Sequence, residues 1–79
     1  MPKQPVVSAK ELIKVMAKLG YEIERQKGSH IRLRKTTAVG VHNVTIPEHK
    51  TVAKGTLNDI LTKVSLWNNI SKEDLVNML

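Results

Sequence analysis

The sequence predicts an α+β fold in the order α-β-β-β-α with a short further helix at the C-terminus, built as a three-stranded antiparallel sheet with its helices on one face. Three observations lead there. Apolar residues recur at helical spacing near the N-terminus until Gly20 interrupts them, the period then changes to two as far as Pro47, and a second helical stripe follows that proline.

Each element has a local reason. Ser8 and Glu11 form an S-x-x-E capping box, after which Leu12, Val15, Met16 and Leu19 share one helical face and Gly20 sits where a helix ends. From Tyr21 the chain alternates, with Tyr21, Ile23 and Arg25 on one side and Glu22, Glu24 and Gln26 on the other. After a turn at Gly28, Ile31 and Leu33 alternate with His30, Arg32 and Arg34. These runs form a hairpin. A third strand runs from about Val41 to Ile46, with Val44 and Ile46 on one face and Asn43 and Thr45 on the other, and residues 36–40 form the loop before it. The second helix begins near Gly55 or Thr56 and buries Leu57, Ile60, Leu61 and Val64. Ser71 and Asp74 mark the start of the last helix, which buries Leu75, Val76 and Leu79.

Antiparallel partners point to the same face, so parity constrains the register. With Ile23 and Leu33 both inside, the turn is Lys27-Gly28-Ser29, and Gln26, Glu24 and Glu22 stand opposite His30, Arg32 and Arg34 on the outer face. Placing Leu33 beside Val44 sets Arg32 by Thr45 and His30 close to Pro47, with His49 within a few residues of His30. The helices then cover one face of the sheet. The other carries His30, Arg32 and Arg34.

Composition narrows the function classes. At 79 residues there is room for one domain, 1–79. The chain has no cysteine, which excludes disulfides and thiolate metal sites and suits a reducing cytoplasm. No apolar run approaches the roughly 20 residues that span a bilayer, and no signal peptide is evident, so a soluble cytoplasmic protein is expected. The formal charge of +6 is one-sided: residues 1–50 carry ten Lys or Arg against Glu11, Glu22, Glu24 and Glu48, and residues 51–79 carry three of each sign. Such a field favours polyanions. The plainer account of these charges is solubility, and for the arginines it is cross-strand pairing with the glutamates.

The chemistry follows from residue types. Metal-independent RNA cleavage needs a base for the 2′-hydroxyl proton, cations for the charged phosphorane and an acid for the leaving oxygen. His30 can be the base, or the acid; Lys27, Arg32 and Arg34 can hold and neutralise phosphate, and backbone N–H groups of Gly28 and Ser29 can form an anion nest. The second proton carrier is open among His49, a lysine and water. No metal or cofactor is expected, because His30, His42 and His49 lack ligand spacing.

The segments Leu19-Gly20-Tyr21, Gly28-Ser29-His30, Val44-Thr45-Ile46-Pro47-Glu48-His49 and Lys54-Gly55-Thr56-Leu57, with Ile60-Leu61 beyond, stand in the order and spacing of the HicA toxin family, which the chain resembles over roughly residues 8–65. The resemblance implies a double-stranded-RNA-binding-domain-like fold, cleavage of mRNA, and neutralisation by a HicB-like antitoxin. It implies that His30, the histidine of the Gly28-Ser29-His30 motif, is the catalytic residue, and His49 matches a less strict histidine of the family. On the chemistry of their side chains and backbone, Lys27, Gly28, Ser29, Arg32 and Arg34 are expected to contact RNA with His49. The chain departs from the family in two places. Ile31 follows the motif histidine where many members have a polar residue, and about four extra residues, including Leu66-Trp67-Asn68-Asn69, precede Ser71 in an extension spanning 66–79.

The remaining candidates have structural accounts. By parity His42 faces the buried side, Tyr21 is core, and Met16 and Met78 are packing. Trp67 either covers the core between the last two helices or anchors a protein partner. The alternatives to a toxin ribonuclease are a noncatalytic RNA-binding domain of similar shape and a protein-binding adaptor.

Overall fold

A computed structural model describes residues 6–79; the first five residues of the expected 1–79 domain lie outside the described residues. Helix α1 spans Ala9–Lys18, strands β1, β2 and β3 span Glu22–Lys27, His30–Thr37 and Gly40–Pro47, and helices α2 and α3 span Lys54–Asn68 and Lys72–Met78. The sheet is antiparallel in the order β1-β2-β3.

Helix α1 starts as its sequence directs. The Ser8 hydroxyl accepts from the Glu11 N–H at 3.1 Å and the Glu11 carboxylate reaches back to the Ser8 N–H, so two otherwise orphaned donors are satisfied. Its buried side is Ala9, Leu12, Val15 and Met16. Gly20, at φ +101°, takes the left-handed turn that swings the chain into the sheet. Helix α3 uses half of that device: Ser71 accepts from the Asp74 N–H, and Leu75 is fully buried with Val76 and Leu79 packed at the core's margin.

The core lies between the helical stripes and the inner faces of β2 and β3. Leu12, Met16, Leu33, Ile46, Leu57, Leu61 and Leu75 are its largest fully buried side chains. Burying each stabilises the fold by roughly 1.5–3 kcal/mol relative to exposure. The segments flanking α1 and β3 are stitched together, with the Ala9 N–H donating to His49 O and the Val52 N–H to Val7 O.

Between β2 and β3 the register pairs Leu33 with Val44, Arg32 with Thr45 and His30 with Pro47, as parity requires. Strand β2 is longer than expected. It continues through Thr37, and the loop expected over 36–40 shrinks to a two-residue turn at 38–39. The Thr37 hydroxyl braces that turn by donating to Gly40 O and accepting from the Val39 N–H.

Strand β1 departs most from the expectation. Glu22 and Ile23 pair with Arg34 and Leu33, but Glu24 bulges out of the ladder, and from there Arg25, Gln26 and Lys27 pair with Arg32, Ile31 and His30. The turn therefore holds two residues, Gly28 and Ser29, rather than three. Gly28 at φ +58° is the glycine that a two-residue hairpin of the II′ kind needs at its first central position. Ile23, expected inside, is 58% exposed, and all of β1 is exposed. The two edge strands differ in their cover: α1 packs on β3, which buries Val44 and Ile46, whereas the buried cluster includes Tyr21 just before β1 but no residue of β1 itself.

Helix α2 starts one residue earlier than Gly55, without a side-chain cap, and ends at Asn69 in the left-handed conformation at φ 52°. The extra residues Leu66, Trp67 and Asn68 form its last turn. Trp67 is placed on the sheet rather than between α2 and α3, its ring stacked on His42 at 4.8 Å with 6° between planes. This is the α-β-β-β-α arrangement of double-stranded-RNA-binding-like domains, with one further short helix.

Candidate nucleic-acid interface

Strand β2 sorts its side chains by face. Ile31 and Leu33 point into the core, and His30, Arg32 and Arg34 alternate with them on the open face. Successive members of that outer row stand roughly 6.6–6.8 Å apart along the strand. To one side lie Pro47, Thr45 and Asn43 of β3, an uncharged border. On the β1 side, Lys27 is directly across from His30 and Glu22 directly across from Arg34.

Charges on this face are unevenly compensated. Glu24, released from the ladder by the bulge, approaches Arg32 with Oε2 3.8 Å from Nε. Both side chains are about half exposed, so the pair stabilises by only ~0.2–1 kcal/mol. Glu22 and Glu24 therefore offset positive charge toward Arg34, while Lys27, beside His30, has no ion pair among the described residues. Among the described residues no side chain hydrogen-bonds the His30 imidazole, which leaves both ring nitrogens open to a ligand.

The turn is anchored from behind. The Glu48 N–H donates to Ser29 O at 2.6 Å, and Gln26 Nε2 donates to Glu48 Oε2 at 2.9 Å, tying Gly28-Ser29 to the segment after β3. His49 is exposed and follows Glu48 in the chain, lining a groove with Ser8, Ala9, Ile13 and the inward-facing Ile31. That groove belongs to the α1 side of the sheet end, whereas His30 belongs to the open face. Lys27, His30, Arg32 and Arg34 are thus brought together, and His49 occupies a separate border. Among the described residues no group of three His, Asp or Glu side chains is placed to hold a metal ion.

Behind the face, a polar chain crosses the far end of the core. Lys35 donates to Asn68 Oδ1, Asn68 Nδ2 donates to Tyr21 Oη at 2.9 Å and to Val64 O at 2.8 Å, and Tyr21 Oη lies 2.6 Å from His42 Nδ1. Because the Asn68 amide donates to a backbone carbonyl, its orientation is fixed. Tyr21 accepts from that amide, which leaves its own proton for His42 Nδ1; with the bond assigned in that direction the ring is neutral and carries its proton on Nε2. Electrostatics agree: burial, with the Lys63 charge added, pushes the His42 pKa down, and burial pushes the Tyr21 pKa up against the smaller opposing effect of Asn68. Parity alone put His42 and Tyr21 inside. The bond from Asn68 to Tyr21 had no signal in the sequence, since it depends on the extra turn of α2.

A family model described as the HicA toxin of bacterial toxin-antitoxin matches residues 9–66, well over half of the 79 residues. Comparison with curated proteins and with solved structures gives no match.

Proposed function

The chain belongs to the HicA toxin family of bacterial toxin–antitoxin systems, and from that premise we propose that it is a type II toxin acting as a metal-independent endoribonuclease on mRNA in the cytoplasm, with His30 as its catalytic residue and a HicB-like protein as its antidote. The whole chain, 1–79, acts as one domain, with the core at 8–65 and the extension at 66–79. The observation that carries this reading is the position of His30: exposed on the open sheet face, across from Lys27 and at the head of a row containing Arg32 and Arg34.

The reaction balances without a cofactor. His30 takes the proton from a ribose 2′-hydroxyl, the 2′-oxygen bonds to the adjacent phosphorus, and the bond from phosphorus to the 5′-oxygen breaks. The leaving oxygen takes up a proton from Lys27, which stands across from His30, or from water. Lys27 offsets the charge that builds on the phosphorane oxygens, and Arg32 and Arg34, further along the row, hold flanking phosphates of the same strand. Gly28 and Ser29 offer backbone N–H groups at the turn, and His49 extends the contact around the sheet end. The His30 ring lacks an orienting partner, so substrate must fix its angle. That same observation favours the second reading, a noncatalytic RNA-binding domain.

Expression with and without His30 separates the two. The unaltered chain arrests growth and depletes transcripts, co-expression of a neighbouring antitoxin-like protein relieves the arrest, and His30→Ala gives neither arrest nor depletion. Arrest by His30→Ala equal to that of the unaltered chain would leave only the binding reading.

A further inference from the structure

The bulge at Glu24 changes which cations share a face. In an unbroken ladder Arg25 points inward with Ile23 and Gln26 points outward. In the structure Arg25 is paired with Arg32, whose neighbours Ile31 and Leu33 are buried, so Arg25 stands on the open face beside it. Gln26 supplies an independent sign of the exchange, since its amide turns to Glu48, which lines the groove shared with the inward-facing Ile31.

Two arginines directly opposite each other are a destabilising pair. Among the described residues Arg25 has no ion pair or hydrogen bond of its own to offset that cost. The nearby carboxylate goes to Arg32, which it meets at 3.8 Å. Bulges re-aim side chains beside functional sites, and here the result is two guanidinium forks about 4.5–5.5 Å apart at their Cβ atoms with an anionic oxygen already resting against one of them.

We propose that Arg25 and Arg32 form a two-arginine clamp for one phosphodiester of a single RNA strand, next to the linkage presented to His30, and that Glu24 occupies the place of that phosphate when no RNA is bound. The proposal rests on the reading of the open face as an RNA site. It adds Arg25, a phosphate-binding residue that fixes the strand's register, to the groups inferred from the sequence.

Binding of a short single-stranded RNA carrying 2′-O-methyl groups throughout, which cannot be cleaved, tests it across a range of salt concentrations. Arg25→Ala weakens binding roughly 10-fold, as for loss of a charge-assisted hydrogen bond. It also reduces the salt slope by about 0.7, the value for one phosphate contact on a single strand. Arg25→Lys retains the slope but recovers only part of the affinity, because an ammonium cannot fork onto two oxygens. The Arg25→Ala/Arg32→Ala protein loses less than the product of the two single losses, since both hold one group. The melting temperature of Arg25→Ala equals or exceeds that of the unaltered protein, because a like-charge pair has been removed. Unchanged affinity and slope in Arg25→Ala, while the unaltered protein binds, would overturn the clamp alone; so would a lowered melting temperature accompanied by an unchanged slope. Failure of the unaltered protein to bind would remove the RNA reading with it.

Discussion

Replacing Tyr21 with phenylalanine removes one oxygen and leaves the ring, so it isolates the polar chain from the packing around it. That oxygen accepts from Asn68 at 2.9 Å and lies 2.6 Å from His42 Nδ1, on a histidine that is 6% exposed. In Tyr21→Phe, His42 Nδ1 loses its donor at a place water scarcely reaches, and a buried acceptor left without a partner costs about 1–3 kcal/mol. Asn68 keeps its bond to Val64 O and the one from Lys35, so its share of the loss is small. For a domain of this size each kcal/mol moves the melting temperature by roughly 4–8 °C. Thermal unfolding followed by circular dichroism at neutral pH is the assay. A second variant sharpens it: Tyr21→Phe/His42→Phe removes both polar partners, keeps a ring to stack on Trp67, and regains part of the loss, because paired removal leaves nothing unsatisfied. A melting temperature for Tyr21→Phe equal to that of the unaltered protein would refute the chain of bonds as described.

Two further outcomes follow from the same geometry. Burial and Lys63 hold the His42 pKa below its ordinary value of about 6.5. Its contribution to stability is therefore complete above about pH 6.5 and is lost as the pH falls through the folded-state pKa, so urea unfolding shows an acid-side decline that His42→Phe flattens. Glu24→Gln, which releases Arg32 from an exposed pair, lowers stability by no more than about 1 kcal/mol and tightens RNA binding at low salt; weaker binding would contradict the assignment of Arg32 to phosphate.

How much of this could be read from the chain depended on how many residues spoke for each element. Helix α1 was fixed at both ends, by Ser8 with Glu11 and by Gly20, and its apolar face by four residues at helical spacing. Strands β2 and β3 each carry two or more buried apolar residues in alternation, so a slip of one position would have turned them all to solvent; their register and the outward row of His30, Arg32 and Arg34 followed. Strand β1 offered only Ile23. One apolar residue on an edge strand cannot pin a register, and a bulge needs no special residue type, so the extra position at Glu24 left no trace in the pattern. The same silence covered Arg25, whose face depends on that bulge. His49 stands two residues beyond Pro47, the partner of His30, and there the chain turns toward α1, where the His49 carbonyl accepts from Ala9. The extra residues before Ser71 read as an insertion without a role. Their helical turn brings Trp67 onto His42 and Asn68 onto Tyr21.

The central claim is that the His30 imidazole moves a proton during strand scission, and cleavage of single-stranded RNA by the purified protein in EDTA tests it most directly when run beside His30→Ala with RNA binding measured on both. The unaltered protein cuts and leaves cyclic phosphate ends. His30→Ala binds within a few-fold and does not cut. Cleavage by His30→Ala at the unaltered rate would contradict it.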